Sequence, residues 1–135
     1  MITASLIHLI DFTGTDKICL YRFSIPSVPA STIQPDIKFE LSNPGKFENI
    51  RVACDPACSS TNFNFALRLQ SGAAEKSIEE IYSVININKY VFDDNLDIWW
   101  AKPTAVDEDC LYGEIKNNAG METGILYFEF VLTCY

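Results

Sequence analysis

Apolar and polar residues alternate along two stretches of the chain. In residues 36–42 (DIKFELS), Ile37, Phe39 and Leu41 would lie on one face of a strand and the polar residues on the other. In residues 62–70 (NFNFALRLQ), phenylalanine and leucine occupy every second position in the same way. A period of two residues with one apolar face is typical of a β-strand that covers a core, so both stretches are predicted strands.

Apolar runs of strand length recur along the rest of the chain, separated by Gly, Pro, Asn and Asp residues. This rhythm is typical of β-sandwiches and barrels. We therefore predict an all-β fold: a single antiparallel β-sandwich domain over residues 1–135, jelly-roll-like, with about eight strands. The further predicted strands are residues 5–12, 17–24, 47–54, 96–101 and 110–116, and a final strand that runs to residue 135.

One segment allows two interpretations. In residues 77–89 (SIEEIYSVININK), Ile81, Tyr82 and Ile85 recur at the spacing of a helix face, whereas Ile85 and Ile87 alternate as in a strand. Short apolar runs of this kind do not distinguish the two periods. The pattern predicts either a strand or a short helix here.

The end of the chain is apolar and strongly β-prone. Strand 110–116 is followed by the turn-forming residues 117–120 (NNAG), and the chain continues after Thr123 and Gly124 as the final strand. Turn residues between two strands predict a hairpin, so residues 110–135 are expected to form one. The predicted core face of the final strand consists of Leu126, Phe128, Phe130 and Leu132.

The opposite face of the final strand is half apolar. It carries Tyr127, Val131 and Tyr135 beside Glu129 and Thr133. Monomeric proteins seldom leave such a stripe in water. We therefore expect this face to be covered by a neighbouring segment or by another chain, with Tyr127, Val131 and Tyr135 as candidate interface residues.

Trp99 and Trp100 are adjacent on a predicted strand, so their side chains must point to opposite faces. One of them can enter the core, and the other must be exposed or covered. An exposed tryptophan on a β-sandwich can stack on a sugar ring or anchor a protein interface; partial cover by a loop is the third possibility. Both residues are candidate contact residues.

The charge balance and the apolar runs exclude several classes of function. The chain has 10 Lys and Arg residues against 18 Asp and Glu residues, a net charge of −8, and its cations are scattered singly. Nucleic-acid sites depend on clustered cations, so no nucleic-acid partner is predicted. No apolar run approaches the roughly 20 residues of a membrane helix, and residues 1–12 lack the basic segment of a signal peptide. These features predict a protein that is made and assembled in a cytoplasm.

The five cysteines are an odd number. An odd count fits buried thiols better than the disulfide framework of a secreted protein. Cys54 and Cys58 are close enough in sequence that they could still close a small loop.

No catalytic constellation is evident in the sequence. His8 is the only histidine, and nothing places it beside a cysteine nucleophile. The cysteines lack the paired spacings of a zinc site. Two acidic clusters lack the loop spacing of a calcium site, so we interpret them as solvated loops rather than as a metal site or a glycosidase pair. We predict no enzymatic activity, cofactor or metal, and a metal-dependent hydrolase is the weakest alternative. The clusters are Asp93, Asp94 and Asp97, and Asp107, Glu108 and Asp109.

The C-terminal pattern resembles a known family of proteins. The features that carry the resemblance are Tyr112, Ile115, Asn117-Asn118, Gly120, Thr123-Gly124 and the alternating Leu126, Phe128 and Phe130. They resemble the closing hairpin of small β-sandwich virion proteins of tailed bacteriophages, of the capsid decoration or cement type, and their neck and fibre relatives. Residues 65–82 are similar in the same way, and the resemblance covers about the last 70 residues of the sequence.

This resemblance implies a non-enzymatic structural subunit of a virion that is assembled in the host cytoplasm. It implies binding to the major capsid protein or another virion protein, and a homo-oligomer, in particular a trimer. It carries over no binding residues. The alternative that the residues themselves leave open is a carbohydrate-binding β-sandwich that uses Trp99 or Trp100.

Overall fold

A computed structural model describes residues 2–12, 18–41, 45–55, 62–71, 77–100 and 110–134. These residues form β-strands joined by turns and loops, and no helix occurs among them. The strands are β1 (Ile2–Thr3), β2 (Ser5–Phe12), β3 (Ile18–Ile25), β4 (Ile33–Phe39), β5 (Gly45–Cys54), β6 (Phe63–Ser71), β7 (Ser77–Ile87), β8 (Tyr90–Asp93), β9 (Ile98–Trp100), β10 (Cys110–Asn117) and β11 (Leu126–Cys134).

The strands are arranged in two sheets. Sheet A has the order β1-β4-β10-β6-β7, and sheet B has the order β2-β3-β11-β5-β8, with β9 also paired to β5 beyond the end of β8. Only the short pairing of β1 with β4 is parallel among the described pairs. The all-β prediction is confirmed, and the ambiguous segment 77–89 contains a strand rather than a helix.

The inner faces of the two sheets pack against each other through aromatic rings, as in a β-sandwich. Phe39 of sheet A lies with its ring centroid 5.3 Å from Phe23, 5.0 Å from Phe128 and 5.0 Å from Phe130, all three on sheet B. Phe65 of sheet A lies 5.3 Å from Phe128. Edge-to-face pairs at these distances stabilise the core beyond the burial of their area. The predicted core face of the final strand is confirmed, because Leu126, Phe128, Phe130 and Leu132 are fully buried.

The predicted hairpin over residues 110–135 is wrong, although both of its strands exist. β10 pairs with β4 and β6 in sheet A, whereas β11 pairs with β3 and β5 in sheet B. Each strand therefore has both of its edges occupied by other strands, and the two cannot pair with one another. The turn residues 118–125 carry the chain from one sheet across to the other.

Asn117 fixes the crossing between β10 and β11. Its buried side-chain amide donates to the carbonyl oxygens of Val28, Pro29 and Met121 at 3.1, 3.0 and 2.8 Å, and its side-chain oxygen accepts the N–H of Ala119. A buried amide whose hydrogen-bonding groups are satisfied holds the surrounding backbone in one arrangement. The proline-containing loop between β3 and β4 is thereby attached to the crossing.

Gly113 of β10 lies close to the rings of Phe39 and Phe65. A Cβ at this position would lie 2.7 Å from Cε2 of Phe39 and 3.0 Å from Cε1 of Phe65. Gly113→Ala should therefore force these packed rings to move and lower the free energy of unfolding by about 1–3 kcal/mol. Urea unfolding of the variant measures this change.

Gly120 is the matched control for Gly113. No heavy atom lies within 4 Å of a Cβ built there, so Gly120→Ala should leave the unfolding free energy nearly unchanged. Equal effects of the two alanines would contradict the close approach at Gly113.

Tyr82 of β7 should make stability depend on alkaline pH. Burial raises the pKa of Tyr82 from 10.0 to about 12, and the negative charge of Asp93 adds to the effect. Because the unfolded side chain ionises first, the stabilisation is complete below about pH 10 and is lost as the pH rises towards 12. At about 1.4 kcal/mol per pKa unit, the loss is on the order of 3 kcal/mol.

Urea unfolding of the wild type and of Tyr82→Phe between pH 9 and about pH 12 tests this dependence. The unfolding free energy of Tyr82→Phe should fall less than that of the wild type over this pH range, because the variant has no phenol at position 82. Tyr90, which is 64% exposed, gives the control Tyr90→Phe, whose decline should match that of the wild type. Identical pH profiles for all three proteins would argue against a buried, neutral Tyr82.

Candidate functional site on the outer face of sheet B

The strand register of sheet B aligns outward-facing residues in rows across the sheet. One row contains Ser24, Tyr127, Ala53 and Tyr90, and the next contains Arg22, Glu129, Arg51 and Phe92. Each row takes one residue from β3, β11, β5 and β8 in that order. Residues far apart in sequence are therefore adjacent on this face.

A groove of about 570 Å³ lies over these two rows. Tyr127, Ala53 and Tyr90 line it from the first row, and Arg22, Glu129 and Arg51 line it from the second. Ile7 of β2, Lys89, which precedes β8, and the buried residues Cys54 and Phe128 also line it. We call this feature the outer groove; its volume falls in the range of small-ligand sites.

The outer groove is a cationic region of an acidic chain. Arg22 donates to one oxygen of Glu129 from both Nε and Nη2, at 3.2 and 2.7 Å. Arg51 lies beside Glu129 in the register, is exposed, and forms no ion pair with any described residue. With Lys89, the groove holds three cations and one carboxylate, against a net charge of −8 for the whole chain. It can therefore attract an anionic group while aromatic rings contact the rest of a ligand.

A second feature lies at the edge of the same sheet. Leu6, Ile7, Leu9 and Ile18 are 49%, 49%, 44% and 39% exposed, and we call them the apolar edge. Ile7 lines the outer groove and Ile18 alternates with the buried Cys19, so these two lie on the outer face of the sheet. Leu6 and Leu9 pair in register with the core-facing Phe23 and Tyr21, but the end strand of sheet A, β1, has only two residues. The inner face of β2 therefore remains partly uncovered. Clustered exposed side chains of this kind are typical of interaction surfaces.

The structure separates the predicted contact residues. Tyr127 lies in the outer groove, half-buried, and Val131 is half-buried further along β11, outside the groove. The backbones of Trp99 and Trp100 pair with Lys46 and Gly45 of β5, but their side chains lie outside the described part of the molecule. Tyr135 also lies outside it.

The other candidate chemical groups do not converge on one place. His8 is exposed on β2, and Cys19 and Cys54 are buried in the core as thiols. Asp93 accepts the N–H of Asn95 at 3.1 Å. Within the described ranges, no three His, Cys, Asp or Glu side chains are placed to hold a metal ion, and the cluster at 107–109 falls outside those ranges.

The sequence did not indicate Arg51, Lys89, Tyr90 or Ile7 as site residues. A partial signal exists for Tyr90, because residues 90–93 (YVFD) alternate in the manner of a strand with aromatic rings on one face. That signal does not identify β5 as the neighbouring strand. The groove depends on this pairing, so it could not be found by inspection of any one segment.

Comparison with known proteins gives no family for the chain. No protein-family model matches it, and no curated protein matches it either. In the part of the chain that the structure describes, no helix is long and apolar enough to cross a membrane. The function must therefore be argued from the geometry of the groove and the apolar edge.

The two faces of β11 should respond differently to substitution. Phe128→Ala removes a fully buried ring and should lower the unfolding free energy by about 3–5 kcal/mol. Tyr127→Ser alters a half-buried side chain on the outer face and should cost less than half as much. Thermal and urea unfolding of both variants measure the difference; equal losses would mean that the outer face belongs to the core.

Proposed function

We propose that the chain is a non-enzymatic structural subunit of a virion, of the capsid decoration or cement kind. In this role it binds the major capsid protein and stabilises the particle after assembly in the host cytoplasm. The observation that carries the proposal is the apolar edge, where four large aliphatic side chains of β2 and β3 are between 39% and 49% exposed. A subunit that works by docking needs such a surface and needs no catalytic site.

The strand order supports this proposal at the level of the fold. In sheet A, β4-β10-β6-β7 are neighbours, and in sheet B, β3-β11-β5-β8 are neighbours. We propose that these eight strands form a jelly roll, in which two four-stranded sheets are joined by connections that repeatedly cross between them. Jelly rolls occur in viral capsid proteins and also in lectins. The fold is therefore compatible with both capsid binding and carbohydrate binding and does not distinguish them.

Docking through the apolar edge would cover the face of β2 that sheet A leaves exposed. The partner in this proposal is the capsid protein, and copies of the chain would associate as trimers on the particle. The contact residues are Leu6, Leu9 and Ile18, with Tyr127 and Val131 on the adjoining outer face. Burying large apolar side chains at roughly 25 cal/mol per Å² gives such a contact its driving force.

Co-sedimentation with assembled shells tests the proposal, with the capsid protein encoded beside this chain's gene as the partner. The wild type should sediment with the shells, and the double variant Leu6→Ser/Leu9→Ser should bind at least about tenfold more weakly, since about 1.4 kcal/mol corresponds to that factor. Ile85→Ser is the matched control, because Ile85 is 67% exposed on β7, in the other sheet.

Light scattering of the same proteins reports self-association. Failure of the wild type to bind shells, or equal binding by the double variant and the Ile85→Ser control, would contradict docking through the apolar edge. A capsid gene should also lie near the gene for this chain, and polysaccharide-degrading genes in its place would favour the second candidate function.

The second candidate function is carbohydrate binding, which the outer groove favours. Tyr127 and Tyr90 stand on either side of Ala53 in one row, and Arg51 lies next to them. Aromatic rings and hydrogen-bonding cations in a concave site are the groups that bind sugars. In this form the function uses the two tyrosines in place of Trp99 or Trp100.

A further inference from the structure

We infer that the outer groove binds a saccharide that carries a carboxylate, with its ring between Tyr127 and Tyr90 and its carboxylate on Arg51. The inference rests on the second candidate function, carbohydrate binding, and specifies its ligand. It concerns a different surface from the apolar edge, although Ile7 and Tyr127 belong to both the groove and the proposed docking contact.

The spacing of the two tyrosines matches the thickness of a sugar ring. Tyr127, Ala53 and Tyr90 are register neighbours on three consecutive strands, β11, β5 and β8. Neighbouring strands lie about 4.8 Å apart, so the two tyrosine backbones are roughly 9–10 Å apart. A ring in contact with an aromatic group on each side needs about 3.5–4 Å per contact. The alanine methyl group between them leaves this space open.

Arg51 is placed to bind a carboxylate at one end of the space between the two tyrosines. Arg51 precedes Ala53 by two residues on the same face of β5, at a distance of roughly 7 Å along the strand. Its neighbour Glu129 already accepts two hydrogen bonds from Arg22 at one oxygen. The planar guanidinium group matches a carboxylate with two parallel hydrogen bonds.

The charge of the groove favours an acidic over a neutral saccharide. Three cations and one carboxylate line it, whereas the chain as a whole carries a net charge of −8. An acidic polymer is repelled by most of such a surface and attracted by the groove, which directs it to this site. A neutral sugar would gain no charge attraction from this arrangement.

Isothermal titration of the full chain with two oligosaccharides of equal length tests the inference. One is an oligomer of glucuronate and the other is an oligomer of glucose with the same linkage. The glucuronate oligomer should bind at least tenfold more tightly, and its affinity should fall as salt is added. Acetate, a carboxylate without a ring, should not compete at equal concentration.

Three variants separate the roles of the residues. Arg51→Gln should weaken glucuronate binding at least tenfold and leave glucose-oligomer binding unchanged, whereas Tyr90→Ala should weaken both. The control is Arg68→Gln, because Arg68 lies on sheet A, paired with Glu114 at 3.2 Å, and should have no effect on either ligand. Circular dichroism checks that each variant is folded.

The outcomes distinguish this inference from the function on which it rests. Equal affinity for both oligomers, or unchanged glucuronate binding in Arg51→Gln, would overturn the acidic ligand and leave carbohydrate binding intact. Equal losses in Arg51→Gln and Arg68→Gln would also overturn it, since they would indicate attraction without a site. Binding of neither oligomer would overturn both proposals.

Discussion

The contact of Phe39 with three phenylalanine rings of the opposite sheet is the interaction on which the rest of the structure depends. It joins β4 of sheet A to β3 and β11 of sheet B, and every ring in it is buried. Gly113 leaves the room that the Phe39 ring occupies. Once these inner faces are fixed, the alternation of each strand decides which residues remain outside. The outer groove is thus a consequence of how the core packs.

Local patterns predicted the strands well and their partners poorly. The period of two residues identified the core face of β11 and most strand positions, because alternation is a property of a single segment. The hairpin prediction failed because pairing depends on competition with β3, β4, β5 and β6, which a turn sequence does not record. The start of β4 was missed for a different reason. The strand includes Pro35, and the left-handed backbone of Asp36, with a φ of 52°, lies at a shift in register opposite β10. Proline in a strand is tolerated at such a bulge.

The candidate site was predictable only in part, for the same physical reason. Tyr127 could be assigned to a partly exposed face from its own strand. Ala53 and Tyr90, which form the groove beside Tyr127, belong to β5 and β8. They lie next to Tyr127 only because of the strand register. The exposure of the apolar edge could not be predicted from the sequence, because the strand SLIHLIDF has the apolar content of a buried strand. Its exposure follows from the shortness of β1, a feature of the opposite sheet.

The placement of β11 also constrains the order in which the molecule can form. β11 lies in the middle of sheet B, between β3 and β5, although it follows both of them in the chain. Until β11 has left the ribosome, β3 and β5 have no strand between them. The core-facing side chains of these two strands, Phe23, Phe47 and Ile50, therefore cannot be fully buried. Pairings between such distant segments fold on the slower, millisecond-to-second scale and expose strand edges in the interval. The risk of aggregation therefore lasts until β11 has been synthesised and has paired with both β3 and β5.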